Sequence, residues 1–256
     1  MAIDVGNTQT VVGLYGNGDR SRELIDNWRI ATVAERTCDE LALLLGDLLH
    51  TAGLDWRHDV TGVAISSGVP SVTFELRRMC ERYLDREPLV LGAGVKTGMK
   101  VLYDNPREVG ADRIANAVGA FDLYGGPTVV VDFGTATTFD IISETGEYLG
   151  GSILPGIEIS LGALFGRAAA LRRVELIKPR SVIGKTTVES IQSGVIFGWS
   201  SMIDGMCDRI EDLLGECTVI ATGGLAELIA PYSEAIERVE PWVTLHGLRL
   251  VWEKNR

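Results

Sequence analysis

Two short stretches of the chain each place an aspartate just before a glycine and a threonine-rich turn. Residues 2–13 read AIDVGNTQTVVG, and residues 129–146 read VVVDFGTATTFDIISETG. Each pattern predicts a β-hairpin, with an apolar strand, a tight polar turn and a second strand. Glycine lets the turn approach a ligand closely, and asparagine and threonine supply hydrogen-bond donors. Donors for phosphate beside a carboxylate that can hold a metal are what nucleotide binding requires.

The two stretches are related by a constant separation of 128 residues, half of the 256-residue chain. The matched pairs are Asp4 and Asp132, Gly6 and Gly134, Thr10 and Thr138, and Gly18 and Gly146. A repeat on this scale predicts two domains of one plan, whose hairpins bind one ligand from opposite sides. A duplicated fold could keep its hairpins for packing alone. Packing does not require a carboxylate at the same place in both copies, however, so we favour a functional role.

Composition excludes several classes of protein. A net charge of −11 argues against a non-specific nucleic-acid binder, which needs a basic surface. The four cysteines lie far apart, which predicts buried thiols in a reducing cytosol rather than a zinc site or a disulfide framework. No apolar run approaches membrane-spanning length, and the first strand begins too early for a secretion signal. We therefore expect a cytoplasmic protein without a membrane partner.

The remaining pattern predicts a mixed α/β protein. In the first half it indicates strands at 28–32, 63–66, 88–91 and 100–103, a helix at 37–53 opened by a Thr37–Glu40 capping box, and a helix at 71–84 capped by Ser71. In the second half it indicates a loop at 150–156, helices at 160–173 and 186–214, and a strand at 218–221 that enters a Gly-Gly turn and a helix. The three histidines lie outside these motifs, so carboxylates would have to handle protons.

Two segments have a structural and a functional interpretation. Asp112, at the end of the polar connection 103–113, begins a predicted helix and could serve only as its N-cap. Glycine and serine recur every three or four residues along the helix at 186–214, and each glycine costs roughly 1 kcal/mol against alanine. Close approach of another helix, within the subunit or across a dimer, is the usual compensation.

Six motifs, taken in order, resemble those of type III pantothenate kinases, which belong to the superfamily of acetate and sugar kinases, heat-shock chaperones and actin. The motifs are IDVGNTQT, YDNPREVGADR, DFGTATTFD, GGSILPG, KTTVESIQSG and ATGGLAELI. The resemblance extends over essentially the whole chain. It implies two RNase H-like domains, residues 1–112 and 113–256, with mixed sheets flanked by helices and an ATP cleft between the domains. The first strand lacks a residue or two that the family pattern has.

The resemblance also implies an activity, namely transfer of the γ-phosphoryl group of ATP to the primary hydroxyl of pantothenate. The product, 4′-phosphopantothenate, is the first intermediate of coenzyme A biosynthesis. The implied cofactors are ATP, Mg²⁺ and a monovalent cation, K⁺ or NH₄⁺. The implied assembly is a homodimer with active sites at the interface.

Roles for individual residues follow from the same resemblance. The implied ATP contacts are Asp4, Val5, Gly6, Asn7, Thr8, Gln9, Thr10, Val11 and Thr135. Asp4 would hold Mg²⁺ through water, and Asp132 would hold the monovalent cation. Asp112 would accept the hydroxyl proton, and its helix N-terminus would keep it ionised, which suits a base that takes the proton late. The implied substrate contacts are Tyr103, Gly110, Ala111, Asp112, Arg113 and, from a second subunit, Thr187.

Two other functions compete with this interpretation. Some relatives of the family are accessory factors for transcription, which keep the fold without the reaction. The presence of Asp4, Asp112, Arg113 and Asp132 together favours the enzyme, because a binding protein could lack the base. The third possibility is a sugar or acetate kinase of the same superfamily, and the GADR segment at 110–113 argues against it.

Overall fold

The computed structural model describes residues 1–18, 22–168 and 171–256. These residues form two compact units, Met1–Gly119 together with Val243–Arg256, and Ala120–Trp242. This division differs from the proposed domains, 1–112 and 113–256, chiefly at the last helix. That helix follows the second unit in the chain but packs on the sheet of the first.

The elements follow one another in a mixed α/β order. The described strands are β1 (Ala2–Val5), β2 (Gln9–Tyr15), β3 (Leu24–Ala31), β4 (Ala64–Ser67), β5 (Leu89–Val90), β6 (Lys100–Val101), β7 (Thr128–Phe133), β8 (Ala136–Ile142), β9 (Glu147–Pro155), β10 (Thr218–Thr222) and β11 (Arg238–Val239). The described helices are α1 (Cys38–Thr51), α2 (Trp56–Asp59), α3 (Pro70–Met79), α4 (Ala111–Tyr124), α5 (Ile157–Arg167), α6 (Thr187–Leu214), α7 (Ala226–Ile229) and α8 (Val243–Lys254). A π-helical turn, Cys80–Leu84, continues α3.

The two units share one strand plan. In the first unit the order is β3-β2-β1-β4-β5, and in the second the order β9-β8-β7-β10-β11 repeats it. In both, the first three strands of the unit pair antiparallel and the last two add parallel strands beside the hairpin. Gly18 and Gly146, matched in the sequence repeat, both have positive φ, +60° and +81°. The predicted duplication is therefore visible in the topology.

The hairpins themselves differ by one residue. Val5 pairs with Thr10 across the first turn, which spans residues 6–9, whereas Phe133 pairs with Thr137 across residues 134–136. Thr137, rather than the predicted Thr138, therefore takes the place of Thr10, and both are buried. Because side chains alternate between the two faces of a strand, the match of Thr10 with Thr138 at a fixed separation selected a residue on the opposite face of β8 from Thr137.

Both sheets are covered by helices. In the first unit, α1 and α3 cover one face, where Leu41, Leu45 and Leu76 meet the apolar side chains of β1 and β2. Helix α8 covers the opposite face. Gly13 lies on that face, since it alternates along β2 with Val12 and Leu14, which point into the core under α1 and α3. A Cβ at Gly13 would collide with Leu245 of α8, so the helix packs directly against this strand. In the second unit, the buried face of the sheet packs on apolar residues of α5, α6 and α7.

Several predicted boundaries need correction. Helix α3 begins with Pro70 after Val69, and not at Ser71, because proline fits the first helical turn without an N–H to satisfy. The predicted loop at 150–156 is mostly strand, since β9 runs to Pro155. The helix predicted at 160–173 is α5, Ile157–Arg167, and residues 169–170 lie outside the described residues. Among the described residues, no helix has the length and apolarity to cross a bilayer.

Candidate active site

Asp4 lies near the end of β1, beside a buried serine. In the parallel register of β1 and β4, Asp4 stands opposite Ser66. The Ser66 hydroxyl donates to Asp4 Oδ1 at 2.5 Å, and Ser66 itself is fully buried. A hydrogen bond to a carboxylate is shorter and stronger than one between neutral groups. The carboxylate is thus oriented at the edge of the sheet from which the first turn emerges.

The turn of the first hairpin is braced by Thr32, just after β3. Gly6 N–H donates to the Gln9 carbonyl at 3.0 Å, closing the turn. The Thr32 hydroxyl donates to the Gly6 carbonyl at 2.8 Å and lies 2.9 Å from the Thr10 hydroxyl, while Thr32 N–H donates to the Thr8 carbonyl. Asn7, Thr8 and Gln9 remain exposed at the tip. A rigid turn with exposed polar groups suits the binding of phosphate.

Asp112 is the second residue of α4 and is exposed. The first helical bond runs from Ile114 N–H to the Gly110 carbonyl at 3.1 Å, so the helix starts directly after Gly110. Asp112 Oδ1 accepts the N–H of Arg113 at 2.9 Å. Asp112 is therefore not the N-cap residue, although its carboxylate satisfies one N–H group of the first helical turn.

The residues around Asp112 form a local cluster at the start of α4. A Cβ at Gly110 would lie 2.4 Å from Asp112 Oδ1, so glycine leaves the space that the carboxylate occupies. Arg113 is 8% exposed and presents a largely desolvated cation next to the aspartate. Tyr103, half-buried, precedes the short 3₁₀ turn that leads to this cluster.

The second hairpin carries Asp132 near the end of β7 and Thr135 in its exposed turn. Two glycines pack closely against it. A Cβ at Gly223, where φ is +90°, would lie 2.5 Å from Asp132 Oδ1, and one at Gly156 would lie 2.4 Å from the Thr135 carbonyl. Gly223 is the first glycine of the Gly-Gly turn after the strand predicted at 218–221, and its positive φ is one reason for glycine there. Its contact with Asp132 supplies a second reason for glycine there.

Thr187 is exposed at the first position of α6. Thr186 caps this helix by accepting the N–H of Glu189 at 3.1 Å. The Glu189 carboxylate completes no capping box, because it accepts the Lys185 N–H at 2.9 Å and the Arg180 Nε at 2.7 Å instead. These hydrogen bonds hold the pKa of Glu189 below its ordinary value. The loop before Thr187 is thereby fastened to the helix.

The structure groups the predicted residues by unit. Asp4, the first turn and the Tyr103–Arg113 cluster belong to the first unit, and Asp132, Thr135 and Thr187 belong to the second. Sequence reasoning missed Ser66 and Thr32, which contact the first hairpin. A polar residue at the end of an otherwise apolar strand was the available signal for Ser66, but it could not indicate the partner.

The donor set fits Mg²⁺ held by one carboxylate. No cluster of three or more acidic, histidine or cysteine side chains suitable for a metal is found within the ranges that the structure describes. Mg²⁺ commonly binds through one or two carboxylates, several waters and substrate phosphates. Asp4, beside a turn suited to phosphate, is a donor of the kind that such a site requires.

The family profile and the similar proteins agree on one family. The profile described as type III pantothenate kinase matches residues 1–209. The type III pantothenate kinase of Moorella thermoacetica is 51% identical over 256 residues, covering 100% of this chain and 99% of that protein. The one from Anaeromyxobacter sp. (strain Fw109-5) is 53% identical over 257 residues, with coverage of 100% and 99%.

Solved structures agree on the fold. A Campylobacter jejuni protein assigned to the Baf family of transcriptional activators superposes with a TM-score of 0.57 at 18% identity, covering 99% of this chain and 98% of that one. Ethanolamine utilization protein EutJ from Carboxydothermus hydrogenoformans gives 0.55 at 16% identity, with coverage of 98% and 88%. At such identities these matches establish fold alone. The predicted fold class, an α/β protein with two mixed sheets flanked by helices, is confirmed.

Proposed function

The chain belongs to the family of type III pantothenate kinases, and from this membership we propose which of its residues perform each part of the reaction. Its function is transfer of the γ-phosphoryl group of ATP to pantothenate in coenzyme A biosynthesis. Phosphoryl transfer asks a protein chiefly for in-line positioning and for neutralisation of charge. The assignments below follow that requirement.

Asp4 and the first turn bind the phosphates of ATP. Asp4 holds Mg²⁺ through water, and residues 5–11 contact the nucleotide through turn N–H groups and side chains. The braced conformation of the turn, with Thr32 bonded to the Gly6 carbonyl, supports this assignment. When bound, Mg²⁺ neutralises the charge that develops on the phosphates.

Asp112 accepts the proton of the pantothenate hydroxyl. Its exposure at the start of α4 supports this role, since an exposed carboxylate is accessible to a substrate hydroxyl. Arg113 binds the polar or carboxylate end of the substrate, because a cation on a residue that is 8% exposed interacts strongly with an anion in a poorly solvated site. Tyr103, Gly110 and Ala111 complete the substrate contacts.

Asp132 binds a monovalent cation, K⁺ or NH₄⁺, and Thr135 contacts ATP. The support is the duplicated strand plan, in which Asp132 corresponds to Asp4. Gly223 and Gly156 leave backbone close to this turn, where a side chain would take up the space around Asp132 Oδ1 and the Thr135 carbonyl.

Thr187 acts across a homodimer. It lies at the start of a stripe on α6 formed by Gly194, Gly198, Ser201 and Gly205, at spacings that keep all of them on one helix face. Within the described residues, no atom comes within 4 Å of a Cβ built at Gly194 or Gly198, so no neighbouring helix of the subunit compensates these glycines. A second copy on this face would do so and would bring Thr187 to the interface. Exposed aliphatic side chains of the same unit add apolar surface, namely Ile153, Ile159, Leu164, Ile177, Val182 and Ile183.

The observation that carries these assignments is the oriented carboxylate of Asp4 next to a braced, exposed turn. The test is ADP release from ATP and Mg²⁺, measured with pantothenate present or absent and with K⁺ or Na⁺ as the added cation. We expect release that depends on pantothenate and rises sharply with K⁺. Release with sugar or acetate in place of pantothenate would contradict the substrate, and equal rates in K⁺ and Na⁺ would contradict the role of Asp132. We also propose a cytoplasmic location, which is supported by the four buried thiols, none of which forms a disulfide.

A further inference from the structure

We propose that Ser66 is a positioning residue for the phosphoryl transfer, acting through Asp4. The inference rests on the proposed role of Asp4 beside Mg²⁺. Ser66 orients the carboxylate so that it meets the metal's bound water in one defined geometry. Removal of the Ser66 hydroxyl should therefore weaken metal binding more than it changes any other property of the site.

The contact is specific in register and in direction. Ser66 lies opposite Asp4 on the parallel strand β4, and its hydroxyl donates to Oδ1 at 2.5 Å. An ionised carboxylate accepts at several lone-pair positions, so the bond to Ser66 leaves acceptor capacity for a metal-bound water. The bond removes rotational freedom from the Asp4 side chain, which lowers the entropy cost of binding the metal.

A fully buried serine needs a hydrogen-bond partner in any case, so burial alone assigns no role to Ser66. Ser67, its neighbour on the strand, is an example of a serine whose hydrogen bonds have only a structural role. The Ser67 hydroxyl accepts the Val69 N–H at 3.0 Å and lies 3.2 Å from the Val69 carbonyl, and so bonds only to local backbone. Ser66 instead bonds to the one carboxylate of the first hairpin.

The second unit repeats the arrangement. In the parallel register of β7 and β10, Asp132 stands opposite Thr222, which is 2% exposed. A buried residue with a hydroxyl thus lies beside the hairpin aspartate in both units. The recurrence also indicates that threonine fits at this position of the strand plan, which makes Ser66→Thr a suitable conservative variant.

The experiment measures binding of Mn²⁺, as a probe for Mg²⁺, in the presence of adenosine 5′-(β,γ-imido)triphosphate by electron paramagnetic resonance. We expect Ser66→Ala to raise the Mn²⁺ dissociation constant by up to about tenfold, which is the low end of the cost of losing a partner to a direct ligand, because Asp4 holds the metal through water. Ser66→Thr should restore most of the affinity. Steady-state assays should show a higher half-saturating Mg²⁺ concentration with little change in the KM for pantothenate.

Ser67→Ala is the matched control, since it removes a hydroxyl from the same strand without touching Asp4, and it should bind Mn²⁺ normally. Asp4→Ala separates the two hypotheses. If Asp4→Ala leaves Mn²⁺ binding unchanged, the proposed role of Asp4 is wrong and the inference falls with it. If Asp4→Ala weakens binding but Ser66→Ala does not, only the inference is wrong. A tenfold effect of Ser66→Ala that persists in the Asp4→Ala background would also overturn it, because Ser66 would then act through the fold.

Discussion

Asp112 keeps its observed orientation only because the residue two positions earlier has no side chain. The Cβ that an alanine would introduce at position 110 falls 2.4 Å from Asp112 Oδ1. Either the carboxylate or the start of α4 would have to move. The glycine of the GADR segment is therefore explained by the geometry of Asp112, the proposed base, apart from any contact with substrate.

We expect Gly110→Ala to lower kcat by about tenfold to a hundredfold, because small displacements of a reacting group carry penalties of that order. The free energy of unfolding should change little, since the site is partly exposed. Steady-state kinetics and urea unfolding check both statements. Gly92→Ala is the control, because a Cβ at Gly92 meets nothing within 4 Å. Unchanged kcat in Gly110→Ala would mean that the orientation of Asp112 is unimportant.

Asp112→Asn tests the base directly. The amide cannot accept a proton, so turnover should fall by roughly 10²- to 10⁴-fold, the usual contribution of general base catalysis. ATP binding, measured by isothermal titration calorimetry, should persist, because the nucleotide contacts are assigned to the hairpins. Asp208→Asn, an exposed change on α6, serves as the control. An active Asp112→Asn variant would refute the assignment.

Among the elements, those with local signals were predicted well. The Thr37–Glu40 capping box forms with both of its hydrogen bonds, and both hairpins lie where the Asp-x-Gly pattern indicated. The segment at 150–156 was misjudged because glycine and proline suggested a loop. It pairs with β8 as a strand, and its Gly150 has a φ of +129° near a register shift. Pairing across the sheet overrides local preference in such cases.

Glu189 accepts hydrogen bonds from Arg180 and Lys185 and so joins the loop at 180–185 to the start of α6. The pKa of Glu189 is lowered from 4.5, mainly by the hydrogen bond from the Lys185 N–H and then by the one from Arg180. A carboxyl group whose pKa is lowered in the folded state stabilises the fold at pH values above its ordinary pKa. This stabilisation is lost as the pH falls through the lowered pKa. Glu189→Gln should therefore lower the urea midpoint measurably at pH 7. The difference from the unchanged protein should shrink below pH 4.5. A difference that is constant over this range would show that the charge of Glu189 contributes nothing.

For the molecule as a whole, the two-unit plan was predictable because the hairpin pattern occurs twice in the sequence, with Asp4 and Asp132 at equivalent places. The allocation of residues 243–256 was not. Nothing local in α8 tells which sheet it will cover, since an apolar helix face is compatible with either. Ser66 and Thr32 escaped prediction for the same reason, because strand pairing, parallel at Ser66 and antiparallel at Thr32, joins residues that are far apart in the chain.

The proposed dimer is tested by Gly198→Arg. A large charged side chain on the exposed stripe of α6 should prevent a second copy from packing there, so sedimentation velocity should show a monomer and activity should fall with it. The helix itself should not suffer, because arginine is a better helix former than glycine by several tenths of a kcal/mol. Gly46→Arg is the control, since it is also a helical glycine with no atom near its Cβ position. A Gly198→Arg variant that remains dimeric would place the interface elsewhere.

The allocation of α8 to the first sheet has a consequence for how the protein is made. The second unit is one continuous stretch, Ala120–Trp242, whereas the first needs both Met1–Gly119 and Val243–Arg256. During translation every residue of the second unit is therefore synthesised before the first unit has the helix that covers one face of its sheet. The first unit cannot complete its core until residues 243–256 have been made, so its strands are the ones that stay incompletely covered for longest.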